Sequence, residues 1–571
     1  MKKRRTISKI LMLFAFSFTV LTISCNVNVE SNNNEENVLI PVSDEIVLGN
    51  KIENPFSLKS ERYLNSDIKP NYYYFKIRTT SLEGIEQIKN ICGDLNIIPY
   101  DYEIIHGGTE SPDNSGDENH SPWYYYTLPI DYLDSFYSDE YEIEIIDEMY
   151  LSEDDLELIN NPELIGDADT FASSNVIPAD RFLWFKWKSA VPSGRVLVYD
   201  EVTGQNEPVP NVKVTVTQWC FTHSAYTNEK GEYNLGITYT TLLQNNAQIT
   251  VWFENENVDV MRAAYVSTSF YSDGHTNVGD LSGKDIYLRN GTNEQKYGNI
   301  VRAAEYYKKT IKNTDINVTN PGKLRIWAAP NMDSAVTLMG SEAIGTQLAF
   351  WSSYIGLFGG PLTSLTAGMV AGFAGNYIPD LVIGCDVAKN KKTGKITLSS
   401  TENTFHNTFH EMAHASHFRS LGIKSLDYWS TEFSEMLNGW IEVISNKESL
   451  NDNCYNSGKS ERVCFVESWA YFFGHYLMLN YYGSKTNDNY RKRLNNLSDK
   501  RYSFFYDQAY YYLIQNGLTK KYFIKDIFYI YKKANIYSAK AFIDEFTKNN
   551  NLSSYEKNLL INIFKTRGAK I

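Results

Sequence analysis

Cysteine is scarce in this chain: there are six among 571 residues, with no Cys-x-x-Cys pair. A disulfide-built scaffold and a metal site made only of sulfur ligands are therefore excluded. Basic residues are also in deficit, since 54 Lys and Arg stand against 68 Asp and Glu. So acidic a chain repels phosphate backbones, which excludes nucleic acid as a partner. The apolar content of 43% is too high for a disordered chain and, at this length, predicts roughly three or four domains.

The first residues have the layout of a secretory signal. A basic start leads into the apolar run Ile10–Ile23, which is too short to span a bilayer well. The ending Leu21–Cys25 resembles the lipobox of bacterial lipoproteins, although Thr22 stands where that motif usually has Leu. The resemblance implies that residues 1–24 are removed and that a lipidated Cys25 anchors the protein to a membrane of the bacterial cell envelope, outside the cytoplasm. An ordinary secreted protein with an incidental cysteine is the alternative.

Residues 25–69 are predicted to form a polar tether and linker. Residues 70–150 then alternate between strand-like and helix-like patterns in the order βαββαβ, which is typical of a ferredoxin-like split motif. The predicted elements are a strand at Tyr72–Thr79, a helix at Leu82–Cys92, strands at Asn96–Ile105 and Trp123–Leu128, a weak helix at Tyr132–Ser138 and a strand at Tyr141–Ile146. Such a unit is either a propeptide or an accessory domain.

Residues 193–289 show short strands, turn residues and no helical periodicity. Val212, Val214 and Val216 alternate as one buried strand face, and Gly231 can supply a positive φ in the turn that follows. These features resemble the carboxypeptidase regulatory-like domain, a small prealbumin-like β-sandwich, which implies a supporting or binding role. A generic immunoglobulin-like sandwich is the alternative and has the same functional consequence.

Residues 294–571 are mostly helical in pattern, with strands expected at Lys323–Ala328 and Asp380–Cys385. The charge-free stretch Ala343–Pro379 is interrupted by Gly and Pro, and it is rich in Ser, Thr, Gln and Asn, which favours a buried core segment over a membrane span. A disulfide between Cys454 and Cys464 is expected in an oxidising envelope. The predicted fold class is therefore multidomain α+β: a small α/β unit, a β-sandwich and a mainly helical domain.

Histidine is rare, with only nine residues, yet four lie in one short segment: His406, His410, His414 and His417. Within it, residues 410–414 (HEMAH) match HExxH, the motif of zinc proteases. On a helix, His410 and His414 lie one turn apart on one face, so both can bind one Zn²⁺ ion. Glu411 beside them can take a proton from metal-bound water. Ser399 and Glu402 match a helix N-terminal capping box.

The third ligand determines the class of zinc site. The metzincin pattern requires Gly at position 417 and His at position 420, whereas the chain has His417 and Ser420, so that class is excluded. His417 would lie about 10 Å along the helix axis from His410, too far to share its metal ion. We therefore expect His406 and His417 to be solvated or to support the ligands without binding metal.

A gluzincin takes a glutamate from a second helix, and four residues are candidates: Glu432, Glu435, Glu442 and Glu467. Glu467 is favoured because it is the one acid in an aromatic-rich helix, where a lone carboxylate is costly to bury without a cation. Residues 467–473 (ESWAYFF) resemble the E-x-x-A-x-F-F segment that follows HExxH in several gluzincin-type metallopeptidases. Glu435, near the shorter spacing of thermolysin-like enzymes, is the next candidate.

These resemblances together imply an envelope-anchored zinc metallopeptidase with a zincin-like catalytic domain at residues 294–571 and a peptide or protein substrate. Its general base would be Glu411, and His475 or Tyr471 would stabilise the oxyanion. Tyr471 also stands where thermolysin-like enzymes have an Asp that orients a ligand histidine. The alternative is a surface binding protein or adhesin with a structural zinc, although such sites usually have four protein ligands and no adjacent base.

Overall fold

The structure, a computed structural model, describes residues 45–571 except 62, 64–66, 113–120, 137, 154, 157–187, 220, 242–244, 263–267, 330–331, 338, 340–378, 390–393, 397, 423–426, 430, 433–434, 436–460, 487–505, 568 and 570. The protein is a mixed α+β multidomain molecule. Five predicted features lie outside the described residues: the signal with Cys25, residues 25–44 of the tether, almost all of the charge-free stretch, the candidate ligand Glu442 and the disulfide partner Cys454. None of the described helices has both the length and the apolar character needed to cross a bilayer.

The N-terminal unit is built on a three-stranded antiparallel sheet in the order β4-β2-β5. Its elements are β1 Val47–Lys51, β2 Tyr72–Thr79, α1 Leu82–Cys92, β3 Tyr102–His106, β4 Tyr124–Pro129, a 3-10 helix Ile130–Phe136 and β5 Tyr141–Met149. The bounds of β2 and α1 coincide with the predicted ones. Ser81 caps α1 by accepting a hydrogen bond from the Gly84 amide at 2.8 Å.

The predicted second strand, Asn96–Ile105, is wrong in its length and in its partner. Only Tyr102–His106 is extended, and it pairs with β1 in a separate two-stranded sheet. The Asn96 side chain donates to the Ile98 carbonyl oxygen at 3.0 Å, and this local bond competes with an extended ladder. The described part of the unit therefore has three of the four strands of the predicted motif in one sheet.

The middle region forms two facing sheets, in the orders β10-β9-β13-β15 and β11-β7-β16, with β8 paired to β7. The strands are β6 Ser189–Ala190, β7 Ser193–Asp200, β8 Gln205–Pro208, β9 Lys213–Gln218, β10 Phe221–Tyr226, β11 Glu232–Asn234, β12 Tyr239–Thr240, β13 Asn246–Trp252, β14 Val258–Arg262, β15 Phe270–Asn277 and β16 Ile286–Leu288; a 3-10 helix spans Val278–Asp280. Val212, Val214 and Val216 are fully buried, as the alternation predicts. Gly231 has φ +72° in the turn after β10.

Strand β14 lies inside the range predicted as β-sandwich but belongs to another sheet. This mixed sheet has the order β14-β17-β19-β18, with β17 Leu324–Ala329, β18 Ala335–Thr337 and β19 Leu381–Gly384. Strands β14, β17 and β19 run parallel, and β18 pairs antiparallel with β19 at the edge. The middle region and the C-terminal region thus share a strand and one continuous core.

The C-terminal region packs long helices against this sheet. The helices are α2 Asn293–Ile311, α3 Ser400–Leu421, α4 Glu461–Tyr482, α5 Asp507–Gln515, α6 Ile524–Tyr531, α7 Ala539–Asn550 and α8 Ser554–Thr566, with a 3-10 helix at Gly483–Lys485. A buried ion pair joins this region to the middle sheets, because Arg302 on α2 donates to Asp200 at the end of β7 at 3.0 Å. The Tyr482 hydroxyl on α4 also donates to Asp200, at 3.0 Å. These bonds link α2 and α4 to the sheets of the middle region.

Candidate metal centre

Helix α3 carries the HExxH segment. Its N-cap is Ser399, whose side chain accepts a hydrogen bond from the Glu402 amide at 3.2 Å, as the capping pattern predicts. The Thr401 amide donates to the Glu201 carboxylate at 3.1 Å, so a residue of the middle region also caps this helix. The helix is buried along almost its whole length. A helix held this firmly presents its side chains in a fixed geometry.

Helix α4 approaches α3 closely at the HExxH segment. A Cβ atom added to Gly474 would lie 3.4 Å from the His410 backbone nitrogen, which is van der Waals distance, so the two helix backbones are close at this point. The Trp469 indole nitrogen donates to the Ala413 carbonyl oxygen at 3.1 Å. Because Glu467 lies on the same helix two residues before Trp469, these contacts bring its carboxylate to the two histidines.

Among the described residues, His410, His414 and Glu467 form the one cluster in which three such ligand atoms lie within 4.8 Å of one another. The two Nε2 atoms are 3.1 Å apart. Glu467 directs Oε2 to His410 Nε2 at 3.2 Å and Oε1 to His414 Nε2 at 3.6 Å. Tetrahedral zinc with bonds of about 2.0–2.1 Å needs ligand atoms about 3.3–3.4 Å apart. The distance between the two imidazole nitrogens and the distance from Glu467 Oε2 to His410 Nε2 are both within about 0.3 Å of that value.

The cluster is strongly coupled electrostatically. Burial opposes protonation of His414, but the Glu467 carboxylate outweighs burial and raises the pKa of His414 to about 9. Burial likewise opposes ionisation of Glu467, yet the His414 and His410 imidazoles hold its pKa far below the usual range. Two buried imidazoles and a half-buried carboxylate are a donor set suited to a divalent cation. Within the described part of the chain, neither His410 Nδ1 nor His414 Nδ1 has a hydrogen-bond partner, and Tyr471 supplies no orienting carboxylate.

Glu411 points one carboxylate oxygen toward the cluster. Its Oε1 lies 4.0 Å from His410 Nε2, and its Oε2 accepts a hydrogen bond from the Thr337 hydroxyl at 2.7 Å. Thr337 is the last residue of edge strand β18. The HExxH pattern contains no signal for this partner, which comes from a strand 74 positions earlier.

Tyr471 and His475 differ in their relation to the cluster. The half-buried Tyr471 ring lies 4.5 Å from the His410 ring, centroid to centroid. His475 is buried; its ring stacks on His406 at 5.1 Å, and its Nδ1 lies 3.8 Å from an Asp507 carboxylate oxygen. Of the two predicted oxyanion donors, Tyr471 therefore contacts a side chain of the cluster and keeps some exposure, and His475 is buried against His406.

The flanking histidines His406 and His417 differ in their exposure to solvent. His417 is completely buried and its ring contacts Tyr428, Trp429 and Tyr531 edge to face. Burial lowers the pKa of His417 to about 3, so it is neutral at physiological pH. His406 is half-buried, with its ring 6.0 Å from that of His410. Of the two alternatives expected for His417, solvation does not apply, because aromatic residues cover α3 on that side.

The three other glutamate candidates for the third ligand differ in their surroundings. Glu435 Oε1 is 3.8 Å from Arg462 Nε, and Glu442 lies outside the described residues. Glu432 is buried near Glu467; burial and that neighbouring charge raise the pKa of Glu432 to about 8. A helix-period pattern cannot reveal such a neighbour, since its proximity comes from tertiary packing.

No protein-family model, curated protein or solved structure matches this chain.

Proposed function

We propose that this protein is a zinc-dependent metallopeptidase of the gluzincin type, with Zn²⁺ held by His410, His414 and Glu467. The observation that carries the proposal is the convergence of the three side chains. The two imidazole Nε2 atoms are 3.1 Å apart, Glu467 Oε2 lies 3.2 Å from His410 Nε2, and Glu467 Oε1 lies 3.6 Å from His414 Nε2. Three protein ligands leave a fourth tetrahedral position open, which is typical of catalytic rather than structural zinc.

When bound there, Zn²⁺ lowers the pKa of a coordinated water toward neutrality and polarises the substrate carbonyl. Glu411 is the general base: Oε1 faces the cluster while Oε2 is held by Thr337. It accepts a proton as water attacks the peptide carbonyl and delivers that proton to the leaving amine. Tyr471 is favoured over His475 as the donor to the oxyanion, because its ring contacts His410.

In this proposal the chain has one catalytic domain and two accessory units. Residues 294–571 form the zincin-like catalytic domain, together with β14 from the middle region. Residues 193–289 supply a regulatory-like β-sandwich, and residues 70–150 a ferredoxin-like accessory unit. The protein acts on peptides or proteins outside the cytoplasm, anchored to a bacterial envelope membrane through lipidated Cys25.

The proposal is tested on purified residues 26–571, which include every described residue. Metal analysis by mass spectrometry is expected to give one zinc per chain, and casein is expected to be hydrolysed. A chelator should abolish hydrolysis and added Zn²⁺ should restore it. One zinc per chain with no hydrolysis of casein or of a broad peptide library would contradict the proposal and favour a surface binding protein with a structural zinc.

A further inference from the structure

One face of α3 contacts the segment that leads into the edge strand β18. Asn403 and Asn407 lie one turn apart, and their side-chain amides donate to the Asp333 carbonyl oxygen at 3.0 and 3.3 Å. Asn407 also donates to the Gly384 carbonyl oxygen at 3.0 Å, at the end of β19. The next residue along this stripe is Glu411, one further turn on. The segment that leads into β18 is therefore held against the face of α3 that carries Glu411.

Thr337 meets Glu411 where this stripe ends. Its position is fixed by antiparallel pairing with Leu381 of β19. Its hydroxyl lies 2.7 Å from Glu411 Oε2 and 3.0 Å from the Glu411 carbonyl oxygen. A hydroxyl has one proton to donate, and the ionised carboxylate at the shorter distance is the stronger acceptor.

This bond selects which carboxylate oxygen is available for chemistry. With Oε2 engaged by Thr337, Oε1 is the oxygen 4.0 Å from His410 Nε2. The Glu411 side chain is only 6% exposed, so little solvent competes for its oxygens. Without the hydroxyl, rotation of the carboxylate about its last side-chain bond would be less restricted.

We propose that Thr337 is a positioning residue for Glu411: it holds Oε2 so that Oε1 faces the metal centre. The inference rests on the proposed function, in which Glu411 is the general base. It adds that the edge strand acts on the base through a side-chain hydroxyl.

The test compares Thr337→Val, which keeps the shape and removes the donor, with Thr337→Ser, which keeps the donor. Hydrolysis of casein or of a peptide identified from it is measured on zinc-loaded residues 26–571. We expect Thr337→Val to lower kcat about 10- to 100-fold, the loss of one hydrogen bond to a charged group, with KM and zinc content unchanged. Thr337→Ser should stay within about threefold of wild type. Unfolding midpoints of the two variants control for folding.

Crystal structures of the wild type and Thr337→Val give a readout independent of activity. The wild type is expected to keep Oε2 against the Thr337 hydroxyl, and the valine variant to show a rotated or multiply placed carboxylate. An unmoved Glu411 carboxylate in Thr337→Val, an unchanged kcat, or a serine variant as impaired as valine would overturn the inference. If the wild type hydrolyses nothing, the proposed function fails, while the two carboxylate positions still decide the role of Thr337.

Discussion

Two buried histidines three residues apart on α3 have opposite environments. His414 Nε2 lies 3.1 Å from His410 Nε2 and 3.6 Å from Glu467, whereas His417 lies among aromatic rings. Burial disfavours the charged form of both. Beside Glu467 the pKa of His414 is nevertheless raised to about 9, while among the rings the pKa of His417 is lowered to about 3. The difference is the carboxylate on α4, so burial alone does not identify a ligand histidine.

The largest effect is expected at Glu411, the proposed general base. Glu411→Gln keeps size and removes the proton acceptor, so hydrolysis should fall by about 10²–10⁴-fold. Zinc content should stay at the wild-type level because Glu411 is outside the ligand cluster. Steady-state kinetics measures the loss of hydrolysis, and metal analysis on the same preparation measures the zinc content. Loss of zinc together with activity would show that Glu411 supports the metal rather than the proton transfer.

The same substitution at the two histidines separates their environments directly. His414→Leu should weaken zinc binding by more than about 100-fold, because even residues that only orient a ligand cost 10- to 100-fold. His417→Leu should leave zinc affinity unchanged, since its ring packs on Tyr428, Trp429 and Tyr531. Competition with a chromophoric chelator measures both affinities. Equal losses of zinc affinity in the two variants would contradict the proposal that His414 binds zinc and His417 does not.

The stability of the protein toward acid should depend on His417. Its pKa is about 3 when folded, against an ordinary value of 6.5, so below pH 6.5 the unfolded chain binds a proton that the folded chain does not. This contribution to stability is complete above pH 6.5 and is lost toward pH 3, by at most about 1.4 kcal/mol per pH unit. Denaturant unfolding should therefore show a shallower pH dependence between 4 and 6.5 for His417→Leu than for wild type. Identical slopes would mean that His417 is accessible to protons in the folded state.

The smallest effect is expected at Glu435, the next candidate after Glu467 for the third ligand. Glu435 and Arg462 form a partly exposed ion pair at 3.8 Å, with side chains 28% and 13% exposed. Such pairs contribute about 0–1 kcal/mol, so Glu435→Gln should change the free energy of unfolding by less than about 1 kcal/mol. Chemical denaturation measures it. A larger loss would indicate that the carboxylate has a second, stronger partner.

Local patterns predicted local structure well. The bounds of Tyr72–Thr79 and Leu82–Cys92 and the cap at Ser399 follow from alternation, helical spacing and side-chain capping, which are properties of short segments. The pairing of strands that are distant in the sequence was harder to predict from local patterns. Strand Val258–Arg262 has an alternating pattern suited to either sheet, and its partner lies over 60 residues away.

In the candidate site, too, residues that belong to a local motif could be predicted and residues brought in by tertiary packing could not. His410, Glu411 and His414 stand in one motif, and Glu467 was favoured because a lone acid among aromatic residues needs a cation. The hydroxyl of Thr337 could not be inferred, because nothing near it in sequence marks it and only the fold brings it to Glu411. The aromatic cover of His417 depends equally on tertiary packing.

The central claim is that His410, His414 and Glu467 bind zinc, and zinc affinity of Glu467→Ala tests it most directly. Chelator competition on wild type, Glu467→Ala and the control Glu435→Ala gives the comparison. We expect a loss of more than about 100-fold for Glu467→Ala and none for Glu435→Ala, since the Glu467 oxygens lie 3.2 and 3.6 Å from the two imidazoles. Wild-type affinity in Glu467→Ala, with or without a loss in Glu435→Ala, would contradict the assignment.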